Sequence, residues 1–249
     1  MPFTSNNKII VLEKVDSTNN YAMAMIQKGE AINGIAVFAI AQTDGKGRRG
    51  KLWKTNAGDN IILSITSQMQ WLPVSHQFEL SVAVALACHD LLSNHIPSGV
   101  RIKWPNDIFI NDSKAAGILI ENVIKGTLWQ WAVIGIGVNI NQAHFEEYSV
   151  SPVSLKQITG NDYDVFQMAT ALQSLILKRI DELQKGGFQN LLKEYNEKLY
   201  ARNRLVKLKK QNMIFETTLI GVSGSGQLIT DDPLGSRYNF DEVEFRGLV

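Results

Sequence analysis

Residues 41–53 read AQTDGKGRRGKLW, where Gly45, Gly47 and Gly50 interleave with Lys46, Arg48 and Arg49. Glycines let a backbone turn tightly and bring its N–H groups against an anion, while the cations neutralise it. The GxxxxGK[ST] spacing of a Walker A loop is absent, as is a dinucleotide fingerprint. Taken alone, such a stretch is equally a solvated surface turn. Residues 101–107, RIKWPND, end a strand-like run in a proline-fixed turn that presents an amide and a carboxylate together. Asp107 beside a polyphosphate could hold Mg²⁺, which takes one or two carboxylates and shares the rest of its shell with phosphate and water. The alternative is a turn in which Asn106 and Asp107 bond the local backbone. Lys114 opens the apolar run KAAGILIEN and either points into the same space or is a solvated residue before a strand. His76, His89, His95 and His144 have no metal-ligand spacing, so neither a zinc site nor a Ser-His-Asp triad is expected.

These residues need elements to hold them. Residues 9–15 are β-branched enough for a strand, and Asp16-Ser17-Thr18-Asn19 offers several oxygens to cap a helix that stops at Gly29. Residues 35–43 and 60–67 read as strands on either side of the glycine-rich loop. Residues 75–93 carry Phe78, Val82, Ala85, Leu86 and His89 at helical spacing, a helix lying on a sheet. RIKWPNDIFI and KAAGILIENVI, joined by Asn111-Asp112-Ser113, read as a hairpin, and TLWQWAVIGIGVNIN as a further strand. Gly135 and Gly137 in that strand suggest close approach by something else. A loop with Pro152 precedes a capping-box-like Asp164 and Gln167, and then two helices separated by Gly186-Gly187. Beyond Arg202 the texture becomes short β pieces with turns at Gly224, Gly226 and Gly235. The expected organisation is a main domain over residues 1–201 and a small β domain over 202–249 that leans on it.

Composition narrows the classes. With 45% hydrophobic and 20% charged residues, the chain is globular rather than disordered or fibrous. A net charge of +1 provides no basic field for non-specific nucleic-acid or membrane binding. The lone Cys88 sits in an apolar run, reads as a buried inert thiol, and fits a reducing compartment. No secretion signal and no membrane span are legible, so a cytoplasmic location is expected.

Five pieces in order, Ser17-Thr18-Asn19, Gln42 with GKGRRGKLW, KWPND, KAAGIL and GIGVNIN, resemble the biotin protein ligase family, strongly over residues 9–141 and weakly through DEVEFR near the end. The resemblance implies an α/β (α+β) fold: a mixed β-sheet flanked by helices, of the class II synthetase-like type, with a C-terminal SH3-like β-barrel. It implies an ATP-dependent ligase that converts biotin to biotinyl-AMP and passes it to a lysine of a biotin carboxyl carrier protein of acetyl-CoA carboxylase or a related carboxylase. ATP and biotin are then substrates, with Mg²⁺ as the ion. By the same resemblance, Ser17, Thr18, Asn19 and Gln42 contact biotin, and Lys46, Gly47 and Arg48 close over the adenylate. Arg48 and Lys114 are the catalytic pair, with Lys114 on the carboxylate and α-phosphate. Gly45, Arg49, Gly50, Trp53, Asn60, Gly117, Gly135, Gly137 and Asn139 lie towards the adenylate, with Glu242 and Arg246 from the terminal strand. Asp107 is the candidate Mg²⁺ ligand. Lys46 departs from the family's usual arginine, losing a planar fork.

Only 16 residues precede Ser17, so no operator-reading domain, no repressor function and no specific nucleic acid are expected. A monomer or homodimer is expected. The rival readings are a lipoate or octanoate ligase of the same fold and a non-catalytic biotin or nucleotide sensor.

Overall fold

The computed structural model describes residues 8–146, 150–232 and 237–249. The first half alternates strands and helices: β1 (Ile9–Val15), α1 (Thr18–Gln27), β2 (Ala36–Gln42), β3 (Asn60–Gln68), α2 (Gln77–Ser93), β4 (Val100–Lys103), β5 (Asp107–Ile110), β6 (Ser113–Lys125) and β7 (Leu128–Asn139). Then come α3 (Leu155–Thr159), α4 (Val165–Gln184), α5 (Phe188–Glu197), β8 (Leu205–Lys210), β9 (Met213–Val222), β10 (Leu228–Asp231), β11 (Arg237–Tyr238) and β12 (Glu244–Leu248). The main sheet has the order β1-β2-β3-β7-β6-β5-β4, mixed because β1 and β2 run parallel and the remaining neighbours antiparallel.

The alternation of side chains along β2, β3 and β7 assigns each sheet face its own partner. Phe38, Ile61, Leu63, Ile134 and Ile136 share a buried core with α2 and α4. On the other face, Val37 and Val133 pack against Ala22 and Met25 of α1. Helix α2 packs against β4, β5 and β6 of the sheet, against α4 beside it and against α5, so 11 of its 17 residues are buried, Cys88 among them. Burial pushes the Cys88 thiol far up, as an inert thiol requires.

Three expectations need correction. RIKWPNDIFI is not one strand but a hairpin of its own, β4 and β5, reversing at residues 104–106, because Pro105 cannot donate to a ladder. The loop before α4 contains α3, started by a capping box in which the Ser154 side chain accepts from Gln157 N and the Gln157 side chain accepts from Ser154 N. YNFDEVEFR splits into β11 and β12 around a turn. The turn expected at Gly235 lies outside the described residues.

The C-terminal strands form a five-stranded antiparallel sheet, β11-β10-β9-β8-β12, in line with the small SH3-like domain expected. Its core is continuous with the main one: Val206, Leu208, Leu219 and Tyr238 belong to the same buried cluster as α2 and α4. The segment after α5 takes the outer edge of β4, with Ile102 N donating to Lys198 O (2.9 Å) and Tyr200 N to Ile102 O (2.8 Å). Trp104 Nε1 donates to Gly226 O at 2.9 Å, which fastens the turn between β4 and β5 to the C-terminal sheet.

Candidate active site

The parallel pairing of β1 and β2 brings their ends together, so the start of α1 meets Gln42. Thr18 N donates to Gln42 Oε1 at 2.8 Å. Register then lines up three strands: Ile62 faces Gly137, which faces Gly117, and one row further Ser64 faces Gly135, which faces Leu119. The glycines leave the α1 face of the sheet bare, and two side chains lie on it. A Cβ at Gly135 would collide with Asn19 Oδ1, and one at Gly137 with the Trp53 indole. These are the close approaches that the two glycines suggest.

The resulting cleft is lined by Ser17, Thr18, Asn19, Gln42, Lys46, Gly47, Arg48, Trp53, Lys114, Gly117, Gly135 and Gly137, all of them expected from sequence. Its floor is polar and buried. Ser64 Oγ donates to Asn19 Oδ1 (2.6 Å) and is within 2.8 Å of Thr18 Oγ1, while Asn19 Nδ2 donates to Glu121 Oε2 (2.6 Å). Trp53 Nε1 is buried without a partner, a donor held inside the cleft.

Two cations stand at the rim. Lys114 Nζ is 2.7 Å from Asp107 Oδ1 and 5.7 Å from the centre of the Trp53 ring. Arg48 Nη1 donates to Asn106 Oδ1 at 3.1 Å. Burial, and then the neighbouring Arg49, pull the Arg48 guanidinium below its ordinary value, while Asp107 and Asp241 oppose them. The glycine-rich segment is a small hairpin rather than an open loop: Gly47 N donates to Lys51 O (2.7 Å), Trp53 N to Gly45 O (2.8 Å), and Lys46 bridges Leu52. Arg49 takes a left-handed backbone at φ 56° to close it, a conformation that side chains other than glycine seldom adopt. Arg49 and Gly50 line the outer mouth of the cleft, and the hairpin directs the Gly45 backbone onto Trp53 and Gln42.

Asn60, Asn139, Glu242 and Arg246 lie outside the cleft, each engaged elsewhere. Asn60 Oδ1 accepts from Ile140 N (2.8 Å) and Asn60 Nδ2 donates to Thr55 Oγ1 and Gln142 Oε1 (2.5 Å each), which ties the start of β3 to the end of β7. Asn139 Nδ2 donates to Lys114 O (3.3 Å) and Val153 O (3.1 Å), so it holds the backbone of Lys114 rather than the cleft. Glu242 caps its own turn by accepting from Asn239 N (3.0 Å) and Nδ2 (3.1 Å), and Arg246 pairs with Glu244 at 2.9 Å.

Sequence reasoning missed Glu121, Ser64 and Phe240, and read Asn106 in its turn without its contact to Arg48. Glu121 had a signal, since counting by two along β6 from Gly117 through Leu119 places it on the cleft face, just past the apolar stretch of that strand. Lys46, the departure from the family pattern, approaches Glu121 at 3.9 Å. For Mg²⁺ the candidate ligand Asp107 stands beside the cleft with one oxygen engaged by Lys114, while the other nearby carboxylate, Glu121, accepts from Asn19 and faces Lys46. Among the described residues no group of three or more His, Cys, Asp or Glu could hold a metal ion. The donor set fits an ion delivered with phosphates, not a resident one. No helix among the described residues is long and apolar enough to cross a membrane.

The geometry has known counterparts. The family model for the biotin/lipoate A/B protein ligase family matches residues 11–139. The "Bifunctional ligase/repressor BirA" of Escherichia coli is 30% identical over 217 residues, 86% of this chain and 65% of that protein, so the chain spans just under two thirds of that relative. The "Biotin--[acetyl-CoA-carboxylase] ligase" of Paracoccus denitrificans is 31% identical over 239 residues, 90% of this chain and 95% of that protein. Among solved structures, the biotin protein ligase from Aquifex aeolicus in complex with biotin and ATP superposes with a TM-score of 0.82 at 23% identity, covering 96% of this chain and 99% of that one. With the family model matched over more than half of its length, and a relative of its own size above 30% identity, the chain belongs to the biotin/lipoate A/B protein ligase family.

Proposed function

We propose that the chain activates biotin with ATP and transfers it to a lysine of a biotin carboxyl carrier protein. The observation that carries this reading is the pairing of a polar floor, buried Thr18, Asn19 and Ser64 with half-buried Gln42, with two cations, Arg48 and Lys114, at the rim of one cleft. A floor of fixed donors and acceptors suits a ureido ring, and the rim suits two anions brought together.

A carboxylate is a poor electrophile, so amide formation needs activation. One carboxylate oxygen attacks the α-phosphorus of ATP, a C–O–P mixed anhydride forms, and the bond to the β-phosphate breaks to release pyrophosphate. Lys114 and Arg48 offset the charge that accumulates on the α-phosphoryl oxygens. Mg²⁺ arriving with the nucleotide would draw on Asp107 and screen the leaving pyrophosphate. The neutral amine of the carrier lysine then attacks the acyl carbon, AMP departs with the bonding pair, and the amine proton goes to solvent. The side chains lining the cleft include no Cys or His, and this sequence needs no protein nucleophile. The carrier approaches from the outer mouth, between the glycine-rich hairpin and the stretch of β6 beyond Gly117, where β5 no longer flanks the strand.

Biotin-dependent exchange of labelled pyrophosphate into ATP by the purified chain tests the first step. Exchange with biotin and little with lipoate supports the reading, because lipoate lacks the ring and leaves the polar floor unpaired. Equal exchange with both acids points to the lipoate branch, and binding without exchange to a sensor.

A further inference from the structure

We propose that Phe240, in the turn between β11 and β12 of the C-terminal sheet, is a positioning residue for Arg48 and sets how firmly the glycine-rich hairpin is held over the cleft. Phe240 is 46% exposed, so its ring does not serve the core of its own sheet. It presents a face to Arg48 instead, with the guanidinium carbon 4.6 Å from the ring centre. Its carbonyl oxygen accepts a hydrogen bond from Arg49 Nη2 at 2.8 Å. One residue of the C-terminal sheet thereby engages both arginines of the hairpin.

The opposite side of Arg48 is fixed by the main domain. Asn106 Oδ1 accepts from Arg48 Nη1, and Asn106 is itself bound at both ends, its Nδ2 donating to Ile118 O and its O accepting from Ile118 N, each at 2.9 Å. The guanidinium is held between an amide in the turn from β4 to β5 and an aromatic face in the turn from β11 to β12. The turn that carries Phe240 is kept tight by Glu242, which accepts from Asn239 N and Nδ2 while Glu242 N donates to Asn239 O at 3.1 Å. Glu242 thus bears on the cleft through the turn it shapes. Asp241, next in the chain, adds a favourable charge for Arg48.

A planar cation stacked on an aromatic face is favoured by the ring quadrupole, and the attraction grows when both are partly desolvated. At that strength, loss of the ring lowers the held-to-released ratio of the Arg48 side chain by about fivefold. The carbonyl contact to Arg49 is main-chain and survives substitution, so the hairpin loosens without detaching.

The test compares wild type with Phe240→Ala, Phe240→Leu and Phe240→Tyr in the full chain. Limited trypsin digestion without substrates, with cuts after Arg48, Arg49 and Lys51 mapped by mass spectrometry, reads hairpin release. Nicking about fivefold faster in the Ala and Leu variants, with the Tyr variant at the wild-type rate and unchanged thermal midpoints, is the expected result. Equal rates in all four proteins overturn the proposal. A Leu variant that behaves as wild type overturns its cation–aromatic basis, because bulk alone then suffices. The consequence for retention rests on the biotin-activation reading and is read separately, as albumin labelling by escaped biotinyl-AMP relative to pyrophosphate exchange. That ratio should rise about fivefold in the Ala and Leu variants and not in the Tyr variant; no rise in variants that are nicked faster overturns the retention half. No exchange by wild type overturns the activation reading, while the digestion still decides the role of Phe240.

Discussion

Replacing Lys114 with alanine separates charge stabilisation in the cleft from stability of the fold. Lys114 Nζ and Asp107 Oδ1 are 2.7 Å apart, with the two side chains 28% and 24% exposed. Breaking a fully buried pair from one side costs about 3–5 kcal/mol, and an exposed pair about 0.2–1 kcal/mol. A pair this accessible falls between them, at about 1–2 kcal/mol, a drop in Tm of about 3–6 °C for a chain of this size. The effect on rate should be larger, because removing one preorganised donor from the site where charge develops costs about 10²–10³ in kcat. Adding Asp107→Asn to Lys114→Ala removes the stranded carboxylate, so Tm recovers but the rate does not. Pyrophosphate exchange at saturating biotin and ATP, measured beside thermal unfolding and against Asp107→Asn alone, checks both halves. A Lys114→Ala protein exchanging within threefold of wild type would refute the reasoning, as would a double variant recovering rate together with Tm. Either result would mean that Lys114 only neutralises Asp107.

Gly137→Ala should push the Trp53 indole off the sheet, since the new Cβ would overlap the ring, costing about 1–3 kcal/mol and shifting tryptophan emission; an unshifted spectrum and an unchanged KM for ATP would contradict the packing. Arg179, 14% exposed, joins α2, α4 and α5 by donating to Asp90 at 3.0 and 2.7 Å and to Glu194 at 2.8 and 2.9 Å. Despite burial, the neighbouring His89 ring at 3.7 Å, hydrogen bonds from Arg179 and the charges of Arg179 and Lys198 bring the Asp90 carboxyl down to about 2. A carboxyl that ionises lower in the folded than in the unfolded chain contributes stability above about pH 4 and loses it as pH falls towards 2. Asp90→Asn should therefore flatten the acid limb of a urea-midpoint-against-pH curve, and Arg179→Ala should cost about 1–3 kcal/mol at neutral pH by leaving Lys198 as the remaining cation for two carboxylates. Native Cys88 should resist a thiol reagent until the chain unfolds, and stoichiometric labelling under native conditions would contradict its full burial.

The apolar periods of α2 and α4 and the β-branched runs of β2 and β3 specify their elements locally, and the structure places each where its pattern implies. The glycine-rich segment, Lys114 and the start of α1 were legible as candidates because residue type and order were enough to bring out the family pattern. What the sequence could not supply was side-chain direction. Asn60 and Asn139 are polar residues at strand ends, as suitable for a ligand as for a backbone, and only the fold shows that neighbouring N–H and C=O groups engage them first. Trp53 in its loop carried no sign that its indole would lie on Gly137, because that contact depends on the register between β6 and β7. The hold on Arg48 is more remote still: Asn106 and Phe240 are far apart in sequence, and they meet at one guanidinium because the turn after β4 and the C-terminal sheet pack together. Local physics determines which residues form strands, helices and turns, whereas the meeting of distant side chains follows from sheet register and domain packing, which short-range patterns do not encode.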